Sequence, residues 1–154
     1  MRSAVVITVS DRVASGVRAD GSGPVLVEWL TGLGLDVVGP VVVPDDVDQV
    51  RQTVRAASDE HQLVVTTGGT GIGPRDRTPE ALAPLFDLTV PGVGEAVRAA
   101  GPPTACLSRT VAGVVSRCLV IALPGSPAAC NDAVTVLTPV VAHALDQLSG
   151  GDHL

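Results

Sequence analysis

An α/β sheet is the fold class that this sequence predicts, and three observations predict it. Four short, nearly continuous apolar runs are separated by segments of helical periodicity, and polar, glycine-bearing residues collect just after each run. The composition agrees: 154 residues are 45% hydrophobic and 17% charged, with mean hydropathy +0.40, which suits one domain with a sizeable core and excludes disorder. Residues 1–149 are expected to form a single domain and 150–154 a frayed tail.

The first run, Ala4-Val5-Val6-Ile7-Thr8-Val9, predicts a strand buried on both faces. It follows Met1-Arg2-Ser3 directly, without a signal-peptide core, and no apolar run approaches the ~18 residues of a membrane span. A cytoplasmic protein with no membrane partner is expected. Leu26, Trp29, Leu30 and Leu33 then recur at helical spacing, with Asp20 placed to shape the helix entrance at Gly21-Ser22-Gly23-Pro24. Val37-Val38 through Val41-Val42-Val43 predicts a second buried strand. The next helix carries Val47, Val50, Val54 and Ala57 on one face, and Asp46 followed by Gln49 resembles a capping box at its start. Leu63-Val64-Val65 is the third strand. Thr78-Pro79-Glu80 reads as N-cap, N1 proline and first-turn acid, and a further helix is expected over 94–100. The stretch 104–116 predicts a short or antiparallel strand, Leu119-Val120-Ile121-Ala122-Leu123 the fourth buried one. A long last helix carries Val134, Leu137, Val141, Leu145 and Leu148 and is expected to bend at Pro139.

Several function classes drop out on composition. All ten cations are arginine, so Schiff-base chemistry, the Walker A lysine and the kinase lysine are excluded. Trp29 and Phe86 are the only aromatic residues and the formal charge is −6, which argues against a nucleic-acid partner. Cys106, Cys118 and Cys130 lie in apolar or small-residue settings without metal-ligand spacing and are expected to be buried thiols. His61, His143 and His153 share no motif with a serine or cysteine, so a hydrolytic triad is disfavoured.

What remains is the loops, because the crevice beyond the carboxyl ends of an open α/β sheet is the usual ligand site. The runs end in Ser10-Asp11-Arg12, Pro44-Asp45-Asp46, Thr66-Thr67-Gly68-Gly69-Thr70-Gly71 and Pro124-Gly125-Ser126-Pro127, and the four should converge on one edge. The glycine loop Thr67 to Glu80 reads as an anion cradle: glycines let backbone N–H groups approach a phosphate, Thr70 adds a hydroxyl, and Arg75 and Arg77 add charge. It is neither a Walker A loop nor G-x-G-x-x-G, and its plain alternative is a turn for chain reversal. Asp45 and Asp76 follow separate strands and can hold Mg²⁺ beside phosphate oxygens, with Asp46 left to cap its helix. Asp11 can pair with Arg12. Gly125 and Ser126 offer a helix N-terminus and a hydroxyl, and Ser108-Arg109 a second hydroxyl and guanidinium pair.

Taken together, Thr67-Gly68-Gly69-Thr70-Gly71 with Arg75-Asp76 and Thr78-Pro79-Glu80 resembles the molybdenum-cofactor biosynthesis family, of the MogA/MoaB molybdopterin adenylyltransferase type. The resemblance extends to Ser10-Asp11-Arg12, Asp20 with Ser22-Gly23, Pro44-Asp45, Pro91-Gly92-Val93-Gly94-Glu95, Leu107-Ser108-Arg109 and Pro124-Gly125-Ser126-Pro127. It implies a three-layer α/β/α sandwich with a mostly parallel, Rossmann-like sheet, assembled as a trimer or hexamer. It further implies adenylylation of molybdopterin by Mg-ATP, with Asp45 and Asp76 as catalytic and Mg²⁺-holding acids and Gly68 to Gly71 with Thr70 as the pterin-phosphate site. Hand-over of the product to a molybdenum-insertion enzyme also follows. Where some relatives carry a lysine after the proline-glycine turn, this chain has Ala128-Ala129. The runner-up reading is a non-catalytic molybdopterin-binding or carrier protein of the same fold, and a dinucleotide oxidoreductase is disfavoured because its glycine fingerprint is absent.

Overall fold

In the computed structural model, which describes residues 1–151, the four apolar runs become β1 (Ser3–Val9), β2 (Asp36–Val43), β3 (Leu63–Thr67) and β6 (Cys118–Leu123). They pair in parallel as β2-β1-β3-β6, and β5 (Val111–Val115) and β4 (Leu88–Thr89) continue the six-stranded sheet antiparallel beyond β6. The strand expected within 104–116 is thus β5. Alternation along β1 serves both faces of the sheet: Ala4 and Val6 join one core, while Val5, Ile7 and Val9 join the other.

The first core is covered by α2 (Gly23–Gly32), α5 (Pro91–Ala100) and α6 (Pro127–Leu148), through Leu26 and Leu30, Val93 and Val97, and Cys130, Ala133, Leu137, Val141 and Leu145. On the other side α3 (Val47–Glu60) and α4 (Thr78–Leu82) bring Val50 and Val54, Ala81 and Leu82. Helices on both faces of a mostly parallel sheet make the three layers. Burying a side chain such as Leu30 or Leu137 contributes about 1.5–3 kcal/mol, so these two stripes hold the layers together. Trp29 adds a polar tie, its Nε1 donating to Thr138 Oγ1 at 2.9 Å between α2 and α6.

Several local expectations are corrected. β2 is an outer strand, and of its residues only Val43 is buried, so an apolar run here does not mark burial on both faces. Leu33 caps α2 from outside and is exposed. Thr78 does not cap α4: it is buried, and its hydroxyl donates to the Gly68 carbonyl at 2.9 Å, a tertiary bond that displaces the local one. The short helix α1 (Asp11–Ala14) and the two-residue β4 carry too little periodicity to be read in advance. Cys118 and Cys130 are buried as expected, whereas Cys106 is exposed, because the 3-10 turn Pro103–Leu107 that carries it lies outside the core.

At the carboxyl end, α6 runs unbroken through Pro139. By length and composition it qualifies as a membrane span, although no continuous apolar run does. Its buried stripe nevertheless packs on the sheet, and Asn131, Asp132, His143 and Asp146 occupy its other faces, the pattern of a helix that covers a core. Gly150, with φ 88°, donates to Gln147 O at 2.9 Å and Gly151 to Asp146 O at 2.8 Å. These two bonds form a Schellman motif, so Gly150 and Gly151 finish the helix; the remainder of the expected tail, including His153, lies outside the described residues.

Candidate functional site

Four strand-end loops meet where the chain order reverses, β1 leading to β2 on one side and lying beside β3 on the other. Ser10 follows β1, Asp45 follows β2, Thr67 ends β3 with Gly68 and Gly69 after it, and Gly125 with Ser126 follow β6; all line a crevice of ≈ 410 Å³. The loop ahead of α2 forms the remaining wall, with Arg18, Asp20 and Ser22. A second, more open groove of ≈ 460 Å³ adjoins it and is lined by Thr70, Gly71, Ile72, Thr104, Leu107 and Ser108. Gly69, Asp76, Gly125 and Ser126 belong to both.

Close backbone approach explains the glycines at the centre. Gly68 (φ 101°) and Gly69 (φ 72°) adopt left-handed conformations, and a Cβ would strike the Val9 carbonyl oxygen at Gly68 and the Thr78 hydroxyl at Gly69. Thr67 is buried beneath them, donating to Pro124 O at 2.7 Å and bonded to Ser22 Oγ at 2.9 Å, which ties three of the loops together. Thr8 Oγ1 donates to Asp20 Oδ2 at 2.7 Å, and Asp20 Oδ1 accepts the Gly23 N–H at 2.9 Å, so Asp20 does shape the α2 entrance.

The acids divide as their positions suggest. Asp46 caps α3, accepting from Gln49 N at 2.9 Å, and leaves Asp45 at the crevice. Asp45 and Asp11 exchange backbone-to-carboxylate bonds, both at 2.9 Å. Asp11 is paired with Arg75, through Nε at 2.9 Å and a second guanidinium nitrogen at 3.1 Å, and not with its neighbour Arg12. That pairing, with the Asp45 N–H, holds the Asp11 carboxyl below its ordinary value. Burial pushes the Asp45 carboxyl up; the charges of Asp11 and Asp76 add to this, while the Asp11 N–H opposes it. Asp76 folds back on its own loop, Oδ2 accepting from Gly73 N at 2.9 Å. Oδ1 of Asp45 and Oδ1 of Asp76 have no hydrogen-bond partner among the described residues.

Two of the arginines singled out from sequence, Arg75 and Arg109, are committed to protein acceptors. Arg109 donates to Gly71 O (2.9 Å), Glu80 Oε2 (2.6 Å) and Asp76 O (2.7 Å), clamping both ends of the glycine loop. Arg77 is exposed and lines a small cleft with Asp45, Asp46 and Val47, which adjoins the first cavity at Val9 and Asp45, but it lines neither cavity itself. Hydroxyls are spent in part as well: Ser10 caps α1 and Ser126 caps α6, while Thr70, Ser108 and Thr110 form a chain at 3.4 and 3.0 Å. Sequence reasoning missed Arg18 and Thr104, which carry no motif, and gave no role to Ile72 and Leu107, which lie inside the quoted motifs.

Comparison with known proteins places these features in a family. Residues 5–143 match the family model described as "Probable molybdopterin binding domain". The chain is 43% identical to the molybdenum cofactor biosynthesis bifunctional protein of Synechococcus elongatus, an alignment covering 97% of this chain and 48% of that protein; it thus spans about half the length of that relative. It is 36% identical to the molybdopterin adenylyltransferase of Helicobacter pylori J99, covering 94% and 86% respectively. The solved structure of the molybdopterin biosynthesis Mog protein from Mycobacterium ulcerans superposes with a TM-score of 0.91 at 42% identity, covering 97% of each chain.

Proposed function

Because this chain belongs to the molybdopterin-binding family of molybdenum-cofactor biosynthesis, we propose that the paired cavities are the two substrate sites of a molybdopterin adenylyltransferase. One observation carries this reading: the two cavities share Gly69, Asp76, Gly125 and Ser126, so two ligands seated in them would meet over the glycine loop. In the reaction a terminal phosphate oxygen of molybdopterin attacks the α-phosphorus of ATP. One P–O bond forms, the bond to the β-phosphate breaks, and pyrophosphate leaves. No protein nucleophile is required, since phosphoryl-type transfer depends on positioning and charge neutralisation. That suits a crevice free of lysine, cysteine and histidine among its lining residues.

The residues present fit a magnesium ion. Asp45 and Asp76 each keep one carboxylate oxygen out of protein hydrogen bonds, and the displaced Asp45 carboxyl is the kind of charge a cation relieves. No cluster of three or more ligating side chains occurs among the described residues, which matches an ion held by one or two carboxylates and by substrate phosphates. Bound there, Mg²⁺ would neutralise charge on the transferring phosphate. Backbone N–H groups of Gly69 to Gly71 and the α6 N-terminus at Gly125 and Ser126 orient the anionic groups, the Gly68 N–H being bonded to Leu123 O at 3.0 Å. The Arg75–Asp11–Asp45 chain fixes the Asp45 carboxylate.

Cytoplasmic location, a trimeric or hexameric assembly and transfer of the product to a molybdenum-insertion enzyme complete this reading. Incubation with molybdopterin, ATP and Mg²⁺ followed by mass detection of adenylylated product tests it. Asp76→Ala should lower turnover roughly 10²–10³-fold with the fold intact. Near-normal turnover removes Asp76 from the reacting site, and molybdopterin binding without product identifies a carrier instead.

A further inference from the structure

The first cavity is lined by one cationic residue, Arg18, against the three acids Asp20, Asp45 and Asp76, and the second by no cation and by Asp76 alone. A phosphate-bearing ligand entering the first cavity meets like charge from three acids; the nearby guanidinium groups of Arg75 and Arg109 are bound to protein acceptors, and Arg77 lines only the small cleft behind Asp45 and neither cavity. We propose that Arg18 is the side chain that grips a substrate phosphate in this crevice. The proposal rests on the adenylyltransferase reading for the identity of the ligand and on the geometry alone for the site.

Local structure holds Arg18 in place for that task. The Val17 and Arg18 N–H groups both donate to Arg12 O, at 3.0 and 3.2 Å, after a turn at Gly16 whose φ is 78°. Two residues on, Asp20 is anchored to Thr8 and Gly23. The backbone on either side is therefore pinned while the Arg18 side chain is exposed and makes no ion pair among the described residues. A guanidinium with free donors can take a phosphate bidentately, which an ammonium cannot reproduce. Two substrates carry that chemistry, the polyphosphate of ATP and the monophosphate of molybdopterin.

The test titrates pyrophosphate, Mg-ATP and molybdopterin separately into the whole chain and its Arg18→Ala, Arg18→Lys and Arg55→Ala variants, at low and high salt, after circular dichroism has confirmed each fold. Arg55→Ala removes the same charge from an exposed position on α3. Arg18→Ala should weaken at least one phosphate ligand about tenfold or more at low salt and flatten its salt dependence, with Arg18→Lys recovering part. The ligand affected names the substrate held. In turnover the loss should fall on that substrate's KM more than on kcat. Affinities within twofold of the wild type for all three ligands, or equal losses in Arg55→Ala, overturn the Arg18 site. Pyrophosphate binding that depends on Arg18, without adenylylated product from the wild type, supports the site and overturns the adenylyltransferase reading.

Discussion

At the scale of single residues, the crevice sets stability against chemistry. The Asp45 carboxyl sits above its ordinary value because it is withdrawn from water near Asp11 and Asp76. The folded chain therefore binds that proton more tightly than the unfolded one. Stability falls as pH rises from the ordinary carboxylate range through the raised value, and above it the cost is present in full. Asp45→Asn should raise the melting temperature at pH 7, with the gain vanishing near pH 3, while lowering adenylyl transfer; scanning calorimetry at the two pH values checks it, and an unchanged melting temperature at pH 7 would count against the assignment. Asp46→Ala should do the reverse, costing about 0.5–2 kcal/mol of stability with transfer retained, since that side chain caps α3. Thr66 supplies a further contrast. It is buried on β3, and its hydroxyl has no partner among the described residues. Thr66→Val keeps the shape and removes the orphan donor, so chemical denaturation should show a gain of about 1 kcal/mol or more.

At the scale of elements, α4 is the piece on which the glycine loop depends. It is only five residues long, too short to be stable by itself, and two arginines hold it. Arg51 of α3 donates to Glu80 O at 3.2 Å and Ala81 O at 2.9 Å, and Arg109 takes the Glu80 carboxylate while reaching the Gly71 and Asp76 carbonyls. Loss of Arg109 frees both ends of the loop at once. Arg109→Ala should cost about 1–2 kcal/mol, discounted because about a third of each paired side chain is exposed, and should open the loop to trypsin at Arg77. Arg109→Lys should rescue little, because one ammonium cannot span three acceptors set around a planar fork. Unchanged proteolysis in Arg109→Ala would show that α4 is held without this clamp.

At the scale of the whole molecule, exposed apolar surface gathers on the outer strand. Val38, Val41 and Val42 of β2 are 48%, 37% and 39% exposed, and Leu33 lies open at the nearby end of α2. An outer strand with valines facing water is a surface that association removes from water. Light scattering should give the mass of a trimer or a hexamer, and only monomer at micromolar concentration would contradict that. The same scale bears on how an acidic protein could serve anionic ligands, as proposed: the formal charge of −6 is spread over the chain, while backbone N–H groups and Arg18 would act locally in the crevice.

The sequence by itself determined the α/β class, the four strands, the helical faces and the loops that would meet, because apolar period and strand-end glycines are local properties; that the sheet is mostly parallel was implied only by the family resemblance. It also separated Asp45 from Asp46, since capping is decided within four residues. Partner choice was different. That Asp11 would take Arg75 in preference to Arg12, that Thr78 would bond Gly68 in place of capping α4, and that Arg109 would clamp a loop more than thirty residues away depended on distances between separate elements. Burial was likewise a tertiary matter: the β2 run has the composition of an inner strand, but its place at the edge of the sheet leaves it open, and the turn that carries Cys106 falls outside either core. Arg18, with no motif around it, acquired its place in the crevice only when the loop before α2 folded over the ends of β1 and β3.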